Sequence, residues 1–224
     1  MISFYIPLEK LYAMMIDNEL LISLGANYKN YATEEIIFKE GSTCNFYYQL
    51  IEGTVRWVNI NEEGKEFIQT IVSPGECFGE LPLFDDMPFA ATAISNTDTI
   101  VWRLHKSTFI KLIHDIPEIH FKFSNLLSQR LRYKFLILKE LAYNDPEHRI
   151  SALLNHFKET HSNICQTCNQ LQLTRQQIAD MTGLRVETVI RAMRNMHDKG
   201  EVQIKKGKVY CNNCDGDDMT EIIH

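Results

Sequence analysis

The chain has 224 residues, 45% hydrophobic and 23% charged, with a formal net charge of -6, which suits a soluble globular protein of two ordinary domains. No uninterrupted apolar run approaches the roughly 18 residues of a membrane-spanning helix. The N-terminal segment MISFYIPLEKLYAMMIDNELL lacks the basic start, apolar middle and small-residue cleavage site of a secretory signal, so a cytoplasmic protein without a membrane partner is expected.

Residues 1 to about 30 predict one or two short helices carrying Leu8, Leu11, Met15, Leu20 and Leu24. From Tyr31 the texture becomes β-rich, with runs at 36–38, 46–51, 54–60, 66–72 and 92–104. Glu52-Gly53, Asn61-Glu62-Glu63-Gly64 and Pro74-Gly75 punctuate them. Strands at that spacing predict a sandwich or barrel-like domain, with the NEEG loop as its clearest hairpin. At Ser107 the period turns helical. A long helix is predicted from Asp115, which can cap it, with Pro117 in the first turn where proline is tolerated. Its stripe of Ile119, Phe123, Leu126, Leu127, Leu131, Phe135, Leu138 and Leu141 runs over roughly 25 residues, longer than a small domain needs. One side is expected to pack on the β domain and the other to form a two-fold dimer seam. Tyr143-Asn144-Asp145-Pro146 should end this helix as an interdomain hinge, and a further helix follows from Pro146 to about Thr160. The expected domains are 1–114, 115–143 and 144–224.

Leu173 to Tyr210 divides into helix, tight turn, helix and basic hairpin. Thr174 and Gln177 have the spacing of a capping box, and Ile178, Ala179 and Met181 supply an apolar side. Gly183 stands where the chain must turn sharply. From Arg185 to about Asp198, Val189, Ala192, Met193 and Met196 lie within roughly 100° of one face, while Glu187, Ile190, Arg191 and Arg194 fall on the other. Glu201–Ile204 and Lys208–Tyr210 read as two strands joined across Lys205-Lys206-Gly207. Helix, turn, helix and wing make a DNA-reading unit. The charge agrees: residues 151–210 hold nine Lys or Arg against five Asp or Glu, while the last fourteen residues carry Asp215, Asp217, Asp218 and Glu221 and no Lys or Arg.

Four of the six cysteines form two spaced pairs, Cys165-Gln-Thr-Cys168 and Cys211-Asn-Asn-Cys214. In a winged helix the strand before the reading helices, about Gln170 to Leu173, pairs antiparallel with the last wing strand, which would bring both pairs together as a tetrahedral four-thiolate site. Structural zinc is the expected occupant; a redox dithiol or an iron–sulfur centre would use the same ligands. Cys44 and Cys77 are expected to be buried small side chains in strands. A thiol–disulfide oxidoreductase is disfavoured because neither CxxC heads a helix in a βαβ unit. With no Ser-His-Asp set, P-loop or dinucleotide fingerprint apparent, an enzyme is not expected.

The order of a β-roll, a long helix and a winged helix-turn-helix, with LTRQQIADMTGLRVETVIRAM and SPGECFGELPLFDD as its most specific parts, closely resembles the CRP/FNR family of bacterial transcription regulators. The resemblance implies an α+β chain: an N-terminal cyclic-nucleotide-binding-like β-roll (jelly roll), a dimerisation helix and a C-terminal DNA-binding domain. It further implies a homodimer on a pseudo-palindromic operator, and RNA polymerase as partner if the protein is an activator, the more frequent role among relatives. Within VETVIR, the resemblance places Glu187 and Arg191 on base edges, where glutamate can accept from cytosine and arginine can donate twice to guanine. The alternative is that these two merely pair on an exposed helix. Ile190 could contact a thymine methyl, Arg185 loses the usual cap acceptor but adds a phosphate donor, and Val186 belongs to the same motif. Thr174, Arg175, Arg194, Lys205 and Lys206 are expected on the DNA backbone.

Gly79-Glu80-Leu81 and Leu83-Phe84 match the family's phosphate-binding segment, with Glu80 at the ribose-binding carboxylate. Ala90 and Ala91 stand where the phosphate-binding Arg and hydroxyl would be, and Lys134 and Phe135 replace the Thr-Ser pair that contacts adenine. An anion buried without those partners is costly, so cAMP is not the expected effector and Glu80 reads as structural. Relatives sense oxygen through an iron–sulfur cluster fed by N-terminal cysteines, but no cysteine precedes Cys44 here. Haem needs a ligand such as His105, His114 or His120, and none is assigned. A redox- or gas-sensing regulator is the alternative within the family, and a nucleotide-binding module regulating a partner enzyme would leave the reading unit unexplained.

Overall fold

The computed structural model describes residues 14–142, 145–165 and 167–211. The chain divides into two compact units, Met1–Leu131 and Arg132–His224. Leu8, Leu11, the Tyr143-Asn144 part of the expected hinge, the acidic tail and Cys214 lie outside the described residues.

The first unit opens with helix α1 (Asn18–Ser23), whose N-terminus is capped by the Asp17 carboxylate accepting from the Glu19 and Leu20 amides. Eight strands follow: β1 (Asn27–Tyr31), β2 (Ile36–Phe38), β3 (Phe46–Glu52), β4 (Val55–Ile60), β5 (Glu66–Val72), β6 (Cys77–Phe78), β7 (Thr92–Ser95) and β8 (Thr99–His105). They form two four-stranded sheets, in the orders β1-β8-β3-β6 and β2-β7-β4-β5, with antiparallel pairing throughout. Tyr47, Leu50 and Val101 of the first sheet join Phe38, Val55, Trp57 and Ala93 of the second in one core. This is the expected β-roll.

Most strands fall where the hydrophobic alternation places them, and the departures have physical reasons. Strand β1 is an edge strand with only Tyr31 buried, so it shows no apolar alternation. The run 92–104 is two strands, because Asn96-Thr97-Asp98 turns the chain between them. There Gly53, at φ +87°, is required: a Cβ would lie 2.5 Å from the Asp98 carbonyl oxygen. Between β6 and β7 lies a short helix α2 (Leu81–Asp85), which the sequence reading passed over. Cys77 does sit buried in a strand, whereas buried Cys44 lies in the loop before β3.

Two helices then leave the roll, α3 (Lys106–Asp115) and the 26-residue α4 (Pro117–Ala142). Asp115 ends α3 rather than capping α4, which opens at Pro117. Phe109 of α3 and Phe123 of α4 pack on Tyr47, with ring centroids 5.1 and 5.9 Å away. The apolar stripe of α4 therefore splits. Ile119 and Phe123 are buried, whereas Leu131, Phe135 and Leu138 are 57%, 64% and 63% exposed.

In the second unit, Asp145 caps α5 (Pro146–Glu159) by accepting from the Glu147 amide. Helices α6 (Arg175–Thr182) and α7 (Val186–Asp198) follow, then the hairpin β9 (Val202–Lys205) and β10 (Lys208–Cys211). Ile150, Leu153, Leu154 and Phe157 of α5 are buried, as are Ile178 of α6, Val189, Met193 and Met196 of α7, and Val202 and Val209 of the hairpin. Among the described residues, no helix is long and apolar enough to cross a membrane.

One polar contact ties α4 to the roll within the first unit. The Arg130 guanidinium forms an ion pair with the fully buried Glu80, donates to the Cys77 carbonyl at 2.6 Å, and lies 5.8 Å from the Trp57 ring centroid. Burial alone would lower the Arg130 pKa, but Glu80 more than reverses this. Glu80 can be buried because this guanidinium faces it. Removing one partner of such a pair strands a charge, whereas replacing both with apolar groups does not. Arg130→Ala should therefore destabilise the protein by about 3–5 kcal/mol in urea denaturation, and Glu80→Met with Arg130→Met should recover most of that loss. Equal destabilisation by the single and paired changes would contradict this account.

Candidate nucleic-acid interface

The reading unit is positioned by local hydrogen bonds that its sequence specifies. The Thr174 hydroxyl accepts from the Gln177 amide at 3.1 Å, and Gln177 Oε1 accepts from the Thr174 amide at 2.9 Å, closing the expected capping box at the start of α6. Gly183 ends α6 in the left-handed region at φ 67°. Arg185 is the N-cap of α7 and makes no side-chain cap bond, as expected for a residue with no acceptor.

Helix α7 is rolled by its apolar face. Val189, Ala192, Met193 and Met196 are buried against the unit core, so Glu187, Ile190, Arg191 and Arg194 necessarily face outward and are exposed. Val186 is half-buried at the helix start. Glu187 and Arg191, four apart, form no ion pair with each other or with any other described residue, so the mutual-pairing alternative is not realised. A carboxylate, two guanidiniums and a sec-butyl group thus stand uncommitted on one exposed helix face.

The wing turns tightly through Lys206 and Gly207, both at positive φ (49° and 78°), the backbone of a two-residue hairpin turn. Lys205 and Lys206 are exposed at its tip, and Lys205 Nζ lies 5.9 Å from the Tyr210 ring centroid. Arg175 is half-buried and donates to the Gly207 carbonyl at 3.1 Å, bracing α6 against the wing; burial lowers its pKa. Thr174 is committed to the capping box but remains exposed. Beside both lies an open groove of about 440 Å³, lined by residues 170–175 and 207–209.

At the other end of the wing, Gln170 bridges Tyr210, Ile164 bridges Leu171, and the Cys211 amide donates to the Asn169 carbonyl at 3.0 Å. The antiparallel pairing expected between the segment before α6 and the last wing strand is therefore present. Cys165 and Cys168 lie on a tight turn closed by the Asn169 amide donating to the Cys165 carbonyl at 2.8 Å. The Thr167 hydroxyl lies 3.2 Å from the Cys165 sulfur; with hydrogen bonds from Cys168 and the backbone amides, it pulls this thiol down to about 6. Cys211 is buried, and burial raises its pKa. Among the described residues, no three candidate ligands already converge on a metal position.

In the first unit, Glu80 and Ala91 are buried, and Ala90 is exposed, its carbonyl accepting from Asn59. Neither Glu80 oxygen nor Trp57 Nε1 has a well-directed hydrogen-bond partner among the described residues. Arg130 is the residue that sequence reasoning missed here. Its signal was available: it lies seven positions after Phe123, on the buried face of α4. In the second unit Phe135 is largely exposed and Lys134 Nζ lies 5.6 Å from the Tyr133 ring centroid. His105 caps α3, its ring accepting from the Ser107 amide.

Residues 28–115 match the family model of the cyclic nucleotide-binding domain, and residues 148–216 match that of the Crp-like helix-turn-helix domain. The chain is 30% identical over 171 residues to the cAMP-activated global transcriptional regulator CRP of Pasteurella multocida, covering 75% of this chain and 82% of that one. It is 28% identical over 174 residues to the cyclic AMP receptor protein of Thermus thermophilus, covering 77% and 78%. Among solved structures, FixK2 from Bradyrhizobium japonicum superposes with a TM-score of 0.71 at 22% identity, over 84% of this chain and 93% of that one. The β-roll, the long helix and the winged reading unit, with these matches to both domains, place the chain in the CRP/FNR family of DNA-binding transcription regulators.

Proposed function

We propose that this regulator binds a pseudo-palindromic operator as a homodimer, each copy reading one half-site with α7, and that its effector is not cAMP. The observation that carries the reading is the exposed, uncommitted set Glu187, Ile190, Arg191 and Arg194, opposite a fully buried face of the same helix. Arg191 has the donor geometry for a guanine edge, Glu187 can accept from the cytosine amino group, and Ile190 offers an apolar contact for a thymine methyl. Arg185, Arg194, Lys205 and Lys206 supply positive charge for phosphates, which positions the helix without reading sequence. Arg175 holds the wing at its place while keeping further donors for the backbone, and Thr174 presents the start of α6.

The exposed apolar residues of α4 support the dimer. Leu131, Phe135, Leu138 and Leu141 recur at three- and four-residue spacing, which is the seam a second copy of the same helix would cover. Two reading helices related by that two-fold axis would meet successive major grooves roughly 34–36 Å apart. Family resemblance favours activation through contact with RNA polymerase.

The Pasteurella relative is named as cAMP-activated. In this chain Ala90 and Ala91 supply neither the guanidinium nor the hydroxyl for a cyclic phosphate, and the Glu80 carboxylate is already engaged by Arg130. These two observations support an effector of other chemistry.

Arg191→Ala should weaken binding to the specific site by about 1–3 kcal/mol and relax choice at one base pair, as measured by titration against a set of half-site variants. Uniform weakening on every sequence would contradict base readout. Lys206→Ala should instead reduce the salt slope of binding by about 1 with little change in sequence preference. A cAMP site filled at 100 times its Kd would stabilise the protein by about 2.7 kcal/mol, so thermal unfolding with and without cAMP should coincide. A cAMP-dependent rise in Tm would overturn the effector reading.

A further inference from the structure

The helices that flank the expected hinge, α4 and α5, are tied together within the second unit, which begins at Arg132 and so includes the last turns of α4. Consecutive side chains in the first turn of α5 reach in two directions: Glu147 meets the end of α7, whereas His148 and Arg149 meet the end of α4. We propose that Glu147, His148 and Arg149 form a positioning clamp, which fixes the reading helix to the last turns of α4 and thereby sets the half-site spacing that the regulator accepts. The proposal rests on the operator reading above and adds the residues that govern spacing rather than base choice.

On the α4 side, the Glu140 carboxylate is buried and lies 3.0 Å from the His148 ring nitrogen Nε2. A carboxylate out of water is costly unless a cation or donor faces it, and His148 supplies that group. Arg149 donates to the Leu141 carbonyl at 3.1 Å. That carbonyl is among the last four of α4, which have no partner inside the helix, and a guanidinium there also meets the negative end of the helix dipole. Two turns back along α4, the Tyr133 ring stacks on His156 of α5, with centroids 4.5 Å apart and planes at 24°. Positions that rise along α4 meet positions that fall along α5, so the two helices run antiparallel in contact from Tyr133 to Leu141.

On the α7 side, Glu147 accepts from Asn195 Nδ2 at 3.1 Å through one oxygen and from Lys199 Nζ through the other. The Lys199 ammonium, with the Asn195 amide, holds the Glu147 carboxyl below the usual carboxylate range. Asn195 lies in the last turn of α7, and Lys199 directly follows that helix. An ion pair this exposed adds little to stability, so its expected effect is on the placement of α7 and not on folding. Phe135, Leu138 and Leu141, which face the second copy in the proposed dimer, lie in the same unit as the clamp. A shift of α5 against α4 therefore changes the separation of the two α7 helices, and with it the spacing of the half-sites they can reach together.

The test uses the full-length protein. The half-site enriched by the unmodified chain is placed in two-fold pairs at every spacing across about one helical turn, and the bound fraction of each pool is sequenced. The unmodified chain is compared with Glu147→Lys, with Glu147→Lys plus Lys199→Glu, and with Glu140→Ala plus His148→Ala, a paired change that strands no charge. The unmodified chain should enrich one spacing. Glu147→Lys and the Glu140–His148 double variant should each keep the half-site sequence while enriching neighbouring spacings, so that the ratio of the best spacing to the next falls toward one. The charge exchange should restore the single spacing, because Asn195 can turn its amide oxygen toward a lysine. Thermal unfolding checks that each variant is folded; should the Glu140–His148 variant not fold, the charge exchange decides alone. A spacing preference unchanged in Glu147→Lys, or broadened but not restored by the exchange, would overturn the proposal. So would loss of half-site sequence with spacing unchanged. Should the unmodified chain enrich no sequence at all, the operator reading itself fails and the clamp with it, a result distinct from a clamp that fails while sequence preference persists.

Discussion

The burial of Val189, Ala192, Met193 and Met196 on one side of α7 is the constraint on which the second unit depends. A helix of 13 residues can be rolled about its axis only if its apolar face is unspecified, and here four buried positions fix the roll. Everything on the opposite face follows from that. Glu187, Ile190, Arg191 and Arg194 are outward because their neighbours are inward, and turning any one of them away would expose a methionine or valine. The same packing explains why α6 must be capped so firmly. Ile178, Ala179 and Met181 of α6 belong to the same small core, so the Thr174–Gln177 box and the left-handed Gly183 set the angle at which α7 starts.

The first unit shows a different way of fixing a helix. Phe109 and Phe123 pack on Tyr47, and Arg130 then reaches Glu80 and the Cys77 carbonyl. A buried charge pair is weak evidence for stability, and here Arg130 joins α4 to Glu80 and to the Cys77 carbonyl of the roll. In this chain the carboxylate that family resemblance assigns to a ribose is therefore engaged by the chain's own helix. As a CRP/FNR regulator the protein acts by binding DNA.

Much of this was legible in the sequence, and what was not has a physical cause. Local rules revealed the capping box, the hairpin turns and the two faces of α7, because each depends on residues within a few positions of one another, whereas the pairing of Gln170 with Tyr210 followed from the topology of a winged helix. Strand β1 escaped notice because an edge strand with one buried residue has no alternation to show. Helix α2 was too short for a period, and Asp115 was assigned to the wrong helix because it serves equally as the last residue of α3. Arg130 escaped because its partner Glu80 lies fifty positions away: its spacing from Phe123 marks the buried face of α4 but not the carboxylate that meets it there. Along α4 the apolar stripe divides: Phe123 is buried, whereas Phe135 is 64% exposed.

The most direct test is selection of binding sites from a pool of random DNA duplexes by the full-length protein, followed by sequencing. The account predicts an enriched two-fold pseudo-palindrome, with half-sites one helical turn apart and a G·C pair at matching positions in each. Enrichment of a single unrepeated half-site, or no enrichment over the starting pool, would contradict the claim that paired α7 helices read the operator.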